Sequence, residues 1–348
     1  MPRTQDTPVY LNRGLPYRKS RTPSPCPAQL TTPPEPRNLK MAYRRSYSRR
    51  PRTTRKRTTR PGYGGRSTPR RRYPTRKRRY TKKMTNKRVL NVTSKKKRDH
   101  MQQITNMDPT TTQPGGLSSR EAILSGNNNF MIPWIATARP AFSNAGAAGF
   151  PIEEAVRTSK TCYMRGLREN ISIRTAQGEP WKWRRICFRL KGDVIYGVAT
   201  TTALTNYIQT GTNASGVMRT ATNWYQDPGL ADQIERIIFA GTRNQDWVDP
   251  MLATLDSNRI SIEYDKTTYL QSGNESGFIR TYKRWHGMNR NLYYDDDQAG
   301  SGESLRPFST EGIKGMGDYY VIDYFRSNGS VDASIGLRYN STLYWHEK

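Results

Sequence analysis

Charge is divided so sharply along this chain that only its later part can fold. The formal net charge is +30. Residues 1–98 hold 32 Lys or Arg against two acids, Asp6 and Glu35, whereas residues 99–348 hold 26 of each sign. Between Met41 and Arg98 there are 25 basic residues and no carboxylate. Such a stretch repels itself and has too little apolar surface to offset the entropy of ordering it. Pro51, Pro61, Pro69 and Pro74, with the GYGG tract at 62–65, interrupt any helix within it. The sequence therefore predicts a disordered arm over 41–98, a connector over 99–116 and a folded body over 117–348.

The first 40 residues differ from the arm. PSPCPAQLTTPPEPRN is rich in Pro and Thr with modest charge, the composition of an extended linker. The dense arginines begin at MAYRRSYSRR. Met41 is therefore expected to be the working start, with residues 1–40 an upstream extension.

An uncompensated cationic arm calls for a polyanion. Each Lys or Arg that neutralises a phosphate releases a counterion, which gives sequence-independent, salt-sensitive affinity for nucleic acid. The expected contacts are Arg44, Arg45, Arg49, Arg50, Arg52, Arg55, Lys56, Arg57, Arg60, Arg70, Arg71, Arg72, Arg76, Lys77, Arg78 and Arg79. Tyr47, Tyr63, Tyr73 and Tyr80 are interspersed among them and suit stacking on unpaired bases. An anionic membrane surface fits less well, because the arm has no apolar face to insert. A solvated charge run without a partner is the plain alternative, and phosphorylation at Ser46 and Ser48 would cancel charge locally. Two compact clusters, Arg76-Lys77-Arg78-Arg79 and Lys95-Lys96-Lys97-Arg98, have the composition of nuclear localisation signals.

The body carries period-two alternation, the signature of half-buried strands. In SIGLRYNSTLYW, Ile335, Leu337, Tyr339, Leu343 and Trp345 share one face, and Arg338, Asn340, Thr342 and His346 the other. RISIEYD at Arg259–Asp265 and NISIRT at Asn170–Thr175 alternate likewise. WKWRRICFRL at Trp181–Leu190 changes phase, which predicts a β-bulge near Arg184–Arg185. Asp193–Ala199, Thr205–Thr210, Phe278–Trp285 and Asp318–Arg326 are further strand candidates. Ser118-Ser119-Arg120-Glu121 reads as a capping box opening a short helix. Asp227-Pro228, followed by GLADQIERII, predicts a helix with an apolar stripe of Leu230, Ile234, Ile237 and Ile238. About eight strands with one or two short helices predict an all-β fold, a single jelly-roll sandwich, with an immunoglobulin-like sandwich as the alternative.

Signatures of catalysis are missing from the sequence. His100, His286 and His346 form no HExxH motif and pair with no cysteine at ligand spacing. Neither GxxxxGK[ST] nor GxSxG occurs. The expectation is a protein that is not an enzyme, with no catalytic residues, no metal site and no cofactor. Asp295-Asp296-Asp297 stands apart as an acidic cluster: a solvated loop, a site for a hard cation, or a complement to a basic patch such as Lys283-Arg284. Most of Trp181, Trp183, Trp224, Trp285 and Trp345 are expected in the core, with some free to anchor interfaces. Cys26, Cys162 and Cys187 show no disulfide framework. With no apolar run near membrane-spanning length, the expectation is a soluble intracellular product without membrane association.

Four segments together resemble a known family. MAYRRSYSRR at Met41, KRVLNVTSKKKRDHM at Lys87–Met101, WKWRRICF at Trp181–Phe188 and STLYWHEK at Ser341–Lys348 are similar to the capsid proteins of genomoviruses, small circular single-stranded DNA viruses of the gemycircularvirus type. The resemblance spans residues 41–348. It implies a jelly-roll coat protein that forms an icosahedral virion, about 60 copies in the simplest T=1 case, around circular ssDNA. It also implies assembly in the host nucleus and contact with a nuclear import receptor. About 60 arms of +25 to +30 would offset on the order of 1,500–1,800 phosphates, which suits a genome of roughly two kilobases. A cellular RNA-binding or ribosome-associated protein with a basic tail is the competing expectation. A rolling-circle replication enzyme would need a histidine pair, a tyrosine nucleophile and a nucleotide loop, a set the sequence does not display.

Overall fold

Eight long strands pair from the outside in: first with last, second with seventh, third with sixth, fourth with fifth. The computed structural model describes residues 84–107, 116–141, 148–199, 209–210, 216–329 and 332–348. The strands are β1 (Lys95–Thr105), β2 (Phe130–Ile135), β3 (Thr161–Thr175), β4 (Trp181–Leu190), β5 (Ser261–Leu270), β6 (Ile279–Tyr293), β7 (Asp318–Ser327) and β8 (Ser334–Glu347), and the α-helices are α1 (Asn86–Thr93), α2 (Val194–Ala199) and α3 (Pro228–Ile238). Antiparallel ladders join β1 to β8, β2 to β7, β3 to β6 and β4 to β5. Further ladders join β8 to β3 and β7 to β4, producing two sheets in the orders β1-β8-β3-β6 and β2-β7-β4-β5. That nesting is the double-sheet jelly roll, an all-β sandwich. The first sheet is widened by Val217–Ala221, which runs parallel to β1, and by Ala122–Ser125 on β8.

Three apolar layers hold this arrangement. Between the sheets, one cluster gathers Ile132, Ile171, Ile173, Trp181, Trp183 and Leu337. A second gathers Met101, Trp134, Leu167, Val321, Leu343 and Trp345. The third lies on the far side of β2-β7-β4-β5, where α3 (Pro228–Ile238) buries Leu230, Ile234 and Ile238 with Ile186, Phe188 and Ile322. The α3 helix begins as its sequence dictates: the Asp227 side chain accepts from Leu230 N at 3.1 Å, and Pro228 occupies the first turn.

The α3 layer explains the phase change in β4. No bulge occurs at Arg184–Arg185; the register shift lies between Cys187 and Phe188, opposite Tyr264 and Ile262, so the extra residue is Glu263 on β5. β4 keeps its alternation while both faces are buried. Trp183 and Cys187 belong to the inter-sheet clusters, and Ile186 and Phe188 to the cluster beneath α3. Two buried faces erase the polar phase that period-two reading depends on.

Other expectations change. Ser118–Arg120 forms a bridge and a bend leading into the strand Ala122–Ser125, with no helix. Val194–Ala199, expected as strand, is a helical turn. Of Thr205–Thr210, only Gln209–Thr210 lies among the described residues, and it is strand. The largest correction concerns the front of the body. A helix, Asn86–Thr93, and β1 occupy part of the expected disordered arm and connector, and β1 is an interior strand of its sheet. Residues 1–83, including the expected extension and the Met41 start, lie outside the described residues.

Candidate nucleic-acid interface

Strand parity sorts charge on the sheet β1-β8-β3-β6. Its four strands contain three carboxylates, Asp99, Glu169 and Glu347, and all three are buried. Asp99 pairs with Arg139, and Glu347 accepts from Lys97 at 3.2 Å. On the opposite parity stand Lys96, Arg98, Arg168, Arg174, Lys283 and Arg338, all exposed. Arg98 meets Glu154 at 3.3 Å and Arg174 meets Glu121 at 2.6 Å. Among the described residues, no ion pair joins Arg168, Lys283 or Arg338 to a carboxylate.

Cross-strand registry sets these groups in rows. One row runs Gln102, Asn340, Asn170, Lys283 from β1 to β6. The next runs His100, Thr342, Arg168, Trp285, with His100 Nδ1 and Thr342 Oγ1 2.9 Å apart. Beside the first row is a shallow depression of about 320 Å³, lined by Gln102, Arg120, Asn170, Ser172, Arg338 and Asn340 among others. Its walls are amides, hydroxyls and guanidinium groups, with no carboxylate in the lining. Aromatic rings stand in the same face: Trp285 with Tyr344 at 5.8 Å between centroids, and Tyr163 with His346 at 5.8 Å. A polar, cationic surface with interleaved rings has the chemistry to hold phosphate and to stack bases.

The predicted contacts fall differently. Every arm residue assigned to DNA binding between Arg44 and Tyr80, and the Arg76–Arg79 cluster, lie outside the described residues. The second import cluster does not sit in a free arm: Lys95–Arg98 opens β1 and pairs with β8. Lys95, Lys96 and Arg98 are exposed, but Lys97 turns inward, where Nζ donates to Val156 O at 2.7 Å and Thr158 Oγ1 at 3.1 Å. Lys97 is thereby removed from any surface signal.

The acidic run does not act as a unit. Arg157 donates to both carboxylate oxygens of buried Asp296, at 2.5 and 3.1 Å, while Asp295 and Asp297 are exposed. Among the described residues, no group of three His, Cys, Asp or Glu converges as a metal site. Cys162 and Cys187 are buried, and burial pushes both thiols up. His286 faces the sandwich interior, its pKa lowered by burial. No helix among the described residues is long and apolar enough to cross a membrane.

Sequence reasoning missed a charged centre between the sheets. Arg185 and Arg219 bind Glu169 and Asp323, with all four side chains 2% exposed or less. Trp183 Nε1 and the Tyr339 hydroxyl donate to Asp323 at 2.7 and 2.8 Å, and Ser341 Oγ donates to Glu169 at 3.2 Å. The signal was present in the phase change of WKWRRICF, where an arginine occupies a core position. This centre is sealed from solvent and is structural.

The class defined by this architecture is the double-sheet jelly roll with a cationic outer face on one sheet. No protein-family model matches the chain, and a search of curated proteins finds no match.

Proposed function

We propose that this chain is the coat protein of a small circular single-stranded DNA virus, and that it assembles into a shell around its genome. One observation carries the proposal: the nested antiparallel order of the eight strands, in a chain whose cationic N-terminal segment leads into the first of them. A jelly roll presents a rigid, closed wall, and 19 basic residues without an acid between 41 and 83 supply the counter-charge for phosphate. The similarity of four segments to genomovirus capsid proteins points the same way. In this reading the arm residues from Arg44 to Arg79 neutralise the packaged DNA, Tyr47, Tyr63, Tyr73 and Tyr80 stack on its bases, and Arg76–Arg79 directs nuclear import. The protein has no catalytic role and needs no cofactor; its place is the virion, and the host nucleus during assembly.

Expression of the full chain, followed by electron microscopy and analysis of nuclease-protected nucleic acid, tests this. Closed particles of uniform size containing protected single-stranded DNA are expected. A monomer that binds RNA and forms no particle would overturn the proposal in favour of a cellular RNA-binding protein.

A further inference from the structure

Seven tryptophans occur in the chain, and six are 9% exposed or less. The seventh, Trp285, is 53% exposed on β6, the edge strand of the cationic sheet face. An indole left half in water among cations offers a flat apolar face to a ligand.

The local backbone is built to seat this ring. On β3, Gly166 lies beside it; a Cβ there would come within 2.7 Å of Trp285 Cζ2 and 3.0 Å of Cη2. That Cβ would also lie 2.6 Å from the His286 carbonyl oxygen, so both the β6 backbone and the ring demand glycine at 166. Gly287 is less constrained, since a Cβ there would lie 3.4 Å from Nε1, an ordinary contact. Tyr344 supports the ring from β8, its plane inclined 54° to the indole. Gly166 and Tyr344 thus flank the indole on one side, and about half of it stays open to solvent.

The surroundings select the occupant. Arg168 is the direct cross-strand neighbour of Trp285, and Lys283 lies two residues away on β6. Asn170, opposite Lys283, also lines the adjoining depression with Arg338 and Gln102. One step of two residues along a strand is roughly 6.8 Å. A flat apolar face beside a carboxylate-free cationic depression complements a ligand with an aromatic ring and an anionic group. Unpaired nucleotides have both.

We propose that Trp285 is a stacking platform for an unpaired base of single-stranded DNA, with Arg168 and the depression beside Asn170 and Arg338 receiving the adjacent phosphates. This deepens the coat-protein reading and rests on it. Base–aromatic stacking is tolerant of sequence because every base has a π-face, so the platform would act on any stretch of genome. Duplex DNA, whose bases are already stacked, would not use it.

The test uses the full-length chain and a single-stranded oligonucleotide carrying 5-iododeoxyuridine. Irradiation is expected to cross-link Trp285, identified by mass spectrometry of the peptide, and the same label in a duplex should not. In anisotropy titrations, Trp285→Ala should lower affinity for single strands about tenfold, the size of one lost stack, while Trp285→Phe retains most of it. The slope of log affinity against log salt should stay unchanged in Trp285→Ala, because stacking releases no counterions, and should fall by about 0.7 in Arg168→Gln. Cross-links confined to other residues, or wild-type affinity in Trp285→Ala, would overturn the platform and leave the coat-protein reading standing. Loss of particle assembly in Trp285→Ala with single-strand affinity intact would assign the ring to a contact between copies, and overturn the proposal. Full-length protein that binds no single-stranded DNA would remove the coat-protein reading itself.

Discussion

Arg185 on β4 reaches across the sandwich interior and donates to Glu169 on β3 at 2.5 Å, with the two side chains 2% and 0% exposed. The same guanidinium grips Asp323 on β7 through Nε and Nη2, both at 2.7 Å. Arg219 adds contacts of 3.3 Å to each carboxylate and lies 3.6 Å over the Tyr339 ring. The two sheets are thus joined at their centre by charge, with apolar clusters on either side.

Removing one member leaves the others buried and uncompensated. Arg185→Met should cost on the order of 3–5 kcal/mol, the range for breaking a buried ion pair from one side. Equilibrium denaturation of the full chain measures it. A cost below about 1 kcal/mol would mean that water enters the centre, contrary to its burial.

Acid should loosen the same centre. Burial alone would raise the carboxyls of Glu169 and Asp323, but Arg185 and Arg219 overcome it and hold both below the ordinary range. A depressed carboxyl stabilises the fold above its unfolded pKa, near 4, and loses that contribution as pH falls through the folded value. Thermal unfolding followed from pH 7 to 3 should therefore show wild type falling more steeply below pH 4 than Glu169→Gln. Parallel curves would show that the ion cluster carries no acid sensitivity.

Asp318 should work in the opposite direction. Burial pushes its carboxyl up to about 6, despite hydrogen bonds from Ser309 N at 2.7 Å and Thr137 Oγ1 at 2.8 Å. Its folded pKa exceeds its unfolded one, so its contribution is full below pH 4 and is lost as pH rises through 6. Relative to Asp318→Asn, wild type should lose on the order of 2–3 kcal/mol between pH 4 and 7. Stability curves of the two proteins over that interval decide it, and a constant difference would count against the assignment.

What the sequence made legible follows from where the polar phase survives. β8 is solvated on one face, so Ile335, Leu337, Leu343 and Trp345 alternate cleanly with Arg338 and Asn340, and its face assignment was readable. The α3 helix was readable because Asp227 and Pro228 mark its start. β1 was not, because two of its inward positions are Lys97 and Asp99, whose burial depends on Glu347 and Arg139 far away in the chain. β2 was hidden by Pro133, which is tolerated because β2 is an edge strand of its sheet. The cationic face was equally hidden: its six charges come from four strands, and only the β1-β8-β3-β6 order places them side by side. Long-range pairing, rather than local pattern, builds the site.

The boundary between arm and body gives a last prediction. Charge density alone places it at residue 98, yet β1 begins at Lys95. Cutting after residue 98 would remove the ladder partners of Glu347, His346, Trp345 and Tyr344. It would also take Lys97 from Glu347, a carboxylate 2% exposed that still accepts from Thr158 and Trp345. Loss of that cation should cost on the order of 3 kcal/mol, or about 6–12 °C in a body of this size. A chain lacking residues 1–83 should keep the wild-type unfolding temperature while losing most of its affinity for single-stranded DNA. A chain lacking residues 1–98 should lose both. Calorimetry of the two truncations separates the roles: equal melting temperatures would show that the first residues of β1 belong to the arm after all, and that their burial contributes nothing to the sandwich.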